Sequence, residues 1–327
     1  MTERLRWGIL ATGGIAHAFT SDLTLNGFDV RAVGSRNQRS ADAFAAEFGI
    51  PTAYGSYEQL AADPEIDVIY ISTPHPFHAE GAMLALEGGK HVLVEKAFTL
   101  NQAEARRVAD LAAAKGLLVL EAMWTRYLPH MVRIREIIAE GTIGDLRTLI
   151  ADHTQKLPDD PSHRLNALEL GGGALLDLGI YPISFAWDLF GAPSTIQATA
   201  TFKPTGADAQ VATIFGYEGS RIALTLSASD ARGPDTATVV GTEARIDIDD
   251  VWYTPTTFRV VSHDGSVLEE YRSEVNGRGM YFQAEALERL VAEGNLAGDI
   301  LPIEETVAIM GTLDAIREQI GLRYPGE

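Results

Sequence analysis

The chain has 327 residues, no cysteine and a formal charge of −19, with 46% hydrophobic and 22% charged residues. That length suggests about two domains of roughly 150 residues each, with enough apolar material for a sizeable core. The acidic balance argues against a general nucleic-acid or anionic-membrane surface, and the missing thiols exclude disulfides, thiolate zinc sites, iron–sulfur clusters and cysteine nucleophiles. Met1 leads through charged residues straight into a first apolar run, without the pattern of a signal peptide. No run is long enough to span a bilayer, so a cytoplasmic protein is the expectation.

Residues 6–10 read as a strand that enters Ala11-Thr12-Gly13-Gly14-Ile15-Ala16 and then a helix to about residue 26. This is a form of the G-x-G-x-x-G/A dinucleotide turn, with Ala11 at the first glycine position and Ala16 at the third. Gly13 would let the backbone approach a pyrophosphate, Ala16 would allow close helix–strand packing, and the helix N-terminus would receive the phosphates.

Residues 29–36 form the second strand and its exit, about 20 residues past the turn, where the ribose-recognising group belongs. Ser35 and Arg36 stand there with Arg39 close behind. A hydroxyl and a guanidinium suit a 2′-phosphate, which favours NADP over NAD; a solvated basic loop is the plain alternative.

A helix over 40–48 and a short one near 57–62 follow. The run 67–73 is the fourth strand, stopped by Pro74. His75-Pro76-Phe77-His78 opens the next helix; no acid or thiol lies beside the two histidines, so packing or a contact near the cofactor is expected rather than a metal. Residues 91–94 are a buried strand that ends in Glu95-Lys96. Asn101 suits the N-cap of a helix over 102–115. Residues 117–123 make a sixth strand, running through Glu121 and Ala122 towards Trp124 and Arg126.

Strand and helix alternating through six strands is the pattern of a doubly wound parallel sheet, a Rossmann architecture. Thr73, Glu95, Lys96, Glu121 and Ala122 would then share the carboxyl edge where ligands bind. A lysine is costly to hold there unless paired or used, although a simple Glu-Lys ion pair would also account for it.

The motifs Trp7-Gly8-Ile9-Leu10-Ala11-Thr12-Gly13-Gly14-Ile15-Ala16, Ile71-Ser72-Thr73-Pro74 with His78, and Glu95-Lys96-Ala97 resemble the Gfo/Idh/MocA oxidoreductase family nearly end to end. Glu121 to Tyr127 and Gly171 to Pro182 resemble the branch containing dimeric dihydrodiol dehydrogenase and NADP-dependent D-xylose dehydrogenase. The resemblance implies a cofactor domain at 1–123 and a substrate-binding, dimerising α+β domain at 124–327, built on a large open, mostly antiparallel sheet. It implies Lys96 as the catalytic lysine, and Asp177 and Tyr181 as the carboxylate and acid/base of the second domain. It also implies a small polyol, sugar or diol substrate and a homodimer or higher homo-oligomer. Ala97 stands where the family carries proline.

In the second half, 127–140 reads as a helix and 146–155 as the strand that opens the second domain. A loop at 156–164 leads to three glycines, 171–173, and a helix to residue 190. Asp177 and Tyr181 lie four apart and share a helix face, while Pro182 cannot donate to residue 178 and should kink or restart the helix. An ordinary amphipathic packing helix would show the same spacing. Seven strand-like runs follow between 196 and 271, then core-facing helices at 281–293 and 303–320.

The chemistry expected is reversible hydride transfer between a nicotinamide and a secondary alcohol or hemiacetal carbon. Free tyrosine titrates near 10, and a neighbouring ammonium would lower that value. Arg126, His153, Arg164 and Asn166 are further candidates for substrate contact. A dinucleotide-binding sensor and a cofactor-assisted glycoside-cleaving enzyme are the competing readings.

Overall fold

The computed structural model describes residues 4–327. Its main chain divides into two compact units, Met1–Tyr127 with Asn276–Met310, and Leu128–Val275 with Gly311–Glu327.

The first unit alternates β1 (Arg6–Leu10), α1 (Gly14–Leu25), β2 (Asp29–Gly34), α2 (Gln38–Phe48), β3 (Thr52–Tyr54), α3 (Tyr57–Ala61), β4 (Val68–Ile71), α4 (His78–Glu87), β5 (His91–Glu95), α5 (Gln102–Lys115) and β6 (Val119–Ala122). The strands pair in parallel in the order β3-β2-β1-β4-β5-β6. Strands covered on both faces must be apolar throughout, and β4 and most of β5 are buried residue after residue. The Asn101 side chain caps α5 by accepting from Glu104 N at 3.0 Å. Asn37 caps α2 in the same way through Arg39 N.

The second unit runs α6 (Pro129–Ala139), β7 (Leu146–Thr154), a π turn at Leu175–Gly179, α7 (Ile180–Phe190), β8 (Thr195–Phe202), β9 (Asp208–Tyr217), β10 (Arg221–Ala228), β11 (Ala237–Gly241), β12 (Ala244–Ile248), β13 (Phe258–Ser262) and β14 (Val267–Tyr271). Its eight strands are ordered β14-β13-β12-β11-β7-β10-β9-β8, and the β7–β10 pair alone is parallel. The π turn and α7 lie on one face of this sheet, over β7 and β10. The other face is open, with Ile150, Leu224 and Ile214 abreast on three neighbouring strands and 53%, 38% and 46% exposed.

Two helices close the chain, α8 (Tyr281–Glu293) and α9 (Ile303–Ile320), and the division between units falls inside α9. Residues 276–310 therefore group with the parallel sheet, although they follow the antiparallel one in sequence. Asp22 on α1 holds them: its buried carboxylate accepts from Arg278 N at 2.7 Å and Met280 N at 2.6 Å, at the start of α8. Trp7 on β1 donates its indole N–H to Glu288 of α8 at 2.9 Å.

Candidate functional site

In the first unit every singled-out residue lies at or beyond the carboxyl ends of the parallel strands. The turn after β1 has Ala11 at φ +83°, with its N–H bonded to Gly34 O at 2.9 Å. Gly13 and Gly14 open α1, and an added Cβ would meet nothing within 4 Å at either position. No side chain caps α1, and its first turn holds no acid. The leading N–H groups and the positive end of the helix are thus turned to an anion, while buried Ala16 packs beneath. Thr12 and Ile15 flank the turn, half-buried.

At the end of β2, Ser35 is buried and bonds Tyr54 O through its N–H, while Arg36 and Arg39 are exposed. Arg36 lines a cavity of about 450 Å³ with Tyr57, Thr73, Pro74, Phe77 and Glu80. The Thr73 hydroxyl is buried without a hydrogen-bond partner, which marks a polar atom that a ligand can satisfy. Uncapped helix, guanidinium and orphaned hydroxyl together fit the phosphates and ribose of a dinucleotide.

Beyond β4 the His78 ring is buried, with its nitrogens 2.9 Å from Ala97 O and 2.7 Å from Thr73 O. Two carbonyls favour the imidazolium, but lost solvation outweighs them and the ring is pushed down to about 4. His78 thus ties the exits of β4 and β5 together. His75 approaches Lys96 O at 3.3 Å.

Glu95 accepts from the Tyr70 hydroxyl and, at 3.2 Å, from Lys96 N. Lys96 is half-buried, and the Lys96–Ala97 peptide is cis. Buried Glu121 accepts from Phe98 N at 3.1 Å and from the Thr306 hydroxyl at 3.3 Å. Burial pushes its carboxyl up to about 7, against the opposing pull of Arg126. Ala122 is buried beside it. Arg126 pairs with Glu305 at 2.7 Å, and the Arg278 guanidinium lies 5.9 Å from the Trp124 ring centre.

In the second unit Asp177 lies in the π turn and Tyr181 in the first turn of α7. The backbone stays helical through Gly179 and Ile180, so the helix does not restart there; the wider π turn lies directly ahead of Pro182, which lacks an N–H to donate. Asp177 and Tyr181 are each 7% exposed. The Arg164 guanidinium lies 3.5 Å from Asp177. The His153 and Tyr181 rings meet edge-on at 4.8 Å, and Tyr253 stacks on His153 at 3.7 Å. Gln155 donates to His153 Nε2 at 2.9 Å and reaches the Tyr253 hydroxyl at 3.4 Å. Burial, then the Asp235 charge, raises the Tyr253 phenol well above its ordinary value. The Asn166 carboxamide is committed to Pro158 O, Asp160 O and Lys203, so it braces the loop that carries Arg164.

Sequence reasoning passed over Gln155, Tyr253 and Asp208. Tyr253 reaches His153 only because Trp252 anchors its loop to β7, through Asp152 O at 2.6 Å, and no local pattern announces that contact. Among the described residues no cluster of side chains could hold a metal ion, and no helix is long and apolar enough to cross a membrane.

A parallel sheet with an anion-ready turn after its first strand, joined in one chain to a mostly antiparallel sheet bearing a buried carboxylate–phenol pair, defines a dinucleotide-dependent oxidoreductase. The chain belongs to the Gfo/Idh/MocA family. Residues 5–123 match the oxidoreductase family's NAD-binding Rossmann fold, and residues 131–247 match the GFO/IDH/MocA C-terminal domain.

It is 35% identical to D-xylose 1-dehydrogenase (NADP(+)) of Hypocrea jecorina, over 98% of this chain and 93% of that one. It is 36% identical to trans-1,2-dihydrobenzene-1,2-diol dehydrogenase of Mus musculus, over 98% of both chains. Among solved structures, the fold matches an aldose-aldose oxidoreductase of Caulobacter crescentus with TM-score 0.88 and 20% identity, over 97% of both chains.

Proposed function

We propose that this protein is an NADP-dependent dehydrogenase of a secondary alcohol or hemiacetal that carries a second hydroxyl beside it. The names of its near-full-length relatives supply the substrate class: D-xylose and trans-1,2-dihydrobenzene-1,2-diol both present adjacent hydroxyls. Arg36 at the rim of the dinucleotide cavity supports NADP, because a guanidinium meets a 2′-phosphate bidentately. We assign residues 1–123 to the cofactor and 124–327 to substrate and self-association, with a cytoplasmic location. The cofactor, when bound, accepts the hydride in oxidation and returns it in reduction.

The chain's own residues handle the proton and the alignment. Tyr181 takes the hydroxyl proton as the alcohol carbon loses its hydride, and gives it back in reduction. Lys96 supplies positive charge that favours phenolate, and Asp177, steadied by Arg164, orients the substrate hydroxyl. Acid–base help of this kind contributes about 10²–10⁴-fold. The observation that carries the reading is that Lys96 at the end of β5 and the Asp177–Tyr181 pair at the start of α7 occur together in a chain with an uncapped, acid-free α1.

Lys96→Ala and Tyr181→Phe should each fold and bind NADPH, yet lose at least about 100-fold in turnover. A panel of pentoses, hexoses and diols, run with NAD⁺ and NADP⁺ in parallel, names the substrate; near-normal turnover in both variants removes the mechanism.

A further inference from the structure

We propose that Asp208 is a positioning residue that fixes the start of the helix bearing Asp177 and Tyr181. The proposal rests on the reading that those two residues act on the substrate. Asp208 is the first residue of β9 and is fully buried. Its Oδ2 accepts from Leu175 N at 2.6 Å, across 33 positions of sequence.

The helix has no cap of its own. Ala174 precedes the π turn and carries no side-chain oxygen, so the leading N–H groups depend on a carboxylate brought from another strand. Gly173 makes the approach possible. It sits at φ +134°, and a Cβ there would come within 1.8 Å of Asp208 Oδ1. Gly173 therefore has a definite use, which is to admit this carboxylate.

The same turn reaches Asp177 by a second route. Lys203, just ahead of Asp208, donates to Asn166 Oδ1 at 2.5 Å. Asn166 in turn holds Pro158 O and Asp160 O at 2.8 and 2.7 Å, bracing the loop from which Arg164 meets Asp177. Burial pushes the Asp208 carboxyl up to about 6, so holding it ionised opposes folding, and packing alone would be served by an apolar residue.

What the carboxylate secures is register. Asp177 lies inside the π turn and Tyr181 beyond it. A π turn holds one residue more than the tighter α spacing. Releasing its start lets the segment relax towards regular α-helix, which swings Asp177 relative to Tyr181 by up to about 100°, the angle of one residue.

The test is made on the full chain with NADP⁺ and whichever sugar or diol wild type oxidises. Asp208→Ala should bind NADPH with unchanged Kd and show KM within about threefold, while kcat falls about 10- to 100-fold, the scale of a misplaced catalytic group. Asp208→Asn keeps an oxygen for Leu175 N and should return kcat to within about fivefold of wild type. Should Asp208→Ala not fold, Gly173→Ala displaces the carboxylate without removing it and should show the same selective loss of kcat.

Wild-type kcat in Asp208→Ala or in Gly173→Ala overturns the proposal, as does an asparagine variant no better than alanine. A wild-type protein that oxidises no alcohol with either cofactor overturns the functional reading itself, and this proposal falls with it.

Discussion

Ala11 occupies the first glycine position of the dinucleotide turn at φ +83°, a region where an L side chain costs about 1–2 kcal/mol. Glycine would remove that strain but add about 0.4–1 kcal/mol of unfolded-chain freedom. Ala11→Gly should therefore stabilise by roughly 0.5 kcal/mol or somewhat more, raising Tm by about 1–3 °C; a lower Tm in a thermal scan refutes the strain argument.

Glu121 gives a prediction with a pH sign. Its folded-state carboxyl is pushed up to about 7 from an ordinary 4.5. The unfolded chain therefore ionises first, and stability present below about 4.5 is lost as pH rises through 7. Glu121→Gln escapes this loss. Relative to wild type it should gain on the order of 3 kcal/mol between pH 5 and 8 in urea unfolding; a difference flat in pH contradicts the burial argument. Arg126 and Asn166 show the limit of reading at this scale. Arg126 follows a strand end and Asn166 lies in a loop, and their partners Glu305 and Lys203 stand 179 and 37 positions away, where no local pattern points.

At the scale of elements, local chemistry and structure agree closely. Asn101 was legible as a cap because the short amide precedes an amphipathic run, and β5 because its apolar run is short and ends in charge. The π turn was not legible, since one residue of helical register depends on how the helix start is held. The attachment of α8 was hidden for the same kind of reason. Asp22 sits on α1 as an ordinary helix acid, and its use as the cap of residues 256 and 258 positions later exists only in three dimensions. Asp22→Ala leaves a buried N–H at Met280 and a part-buried one at Arg278 without that acceptor and should destabilise by about 1–3 kcal/mol. Amide exchange across 276–294 should rise with it. A loss below about 0.5 kcal/mol in denaturant melts would show that other groups hold this segment.

For the whole molecule, the open face of the eight-stranded sheet is the feature with a consequence. Ile150, Leu224 and Ile214 form an exposed apolar row on an acidic protein. If the self-association we assign to residues 124–327 runs through this face, Leu224→Glu yields monomers by light scattering, with secondary structure retained. A variant that remains as associated as wild type moves the interface elsewhere.

Periodicity and turn residues suffice in the sequence for most strands and helices and for the cofactor turn, because each is written in neighbouring residues; the spacing of Lys96, Asp177 and Tyr181 fits an ion pair and a packing helix equally well, and only the family resemblance singles them out. Tertiary structure alone decided that β7 lies in the middle of its sheet, that residues 276–310 pack with the parallel strands, and that Asp208 reaches the start of the helical segment bearing Asp177 and Tyr181. Those outcomes depend on which distant surfaces bury one another, and a linear pattern of apolar and polar residues leaves that choice open.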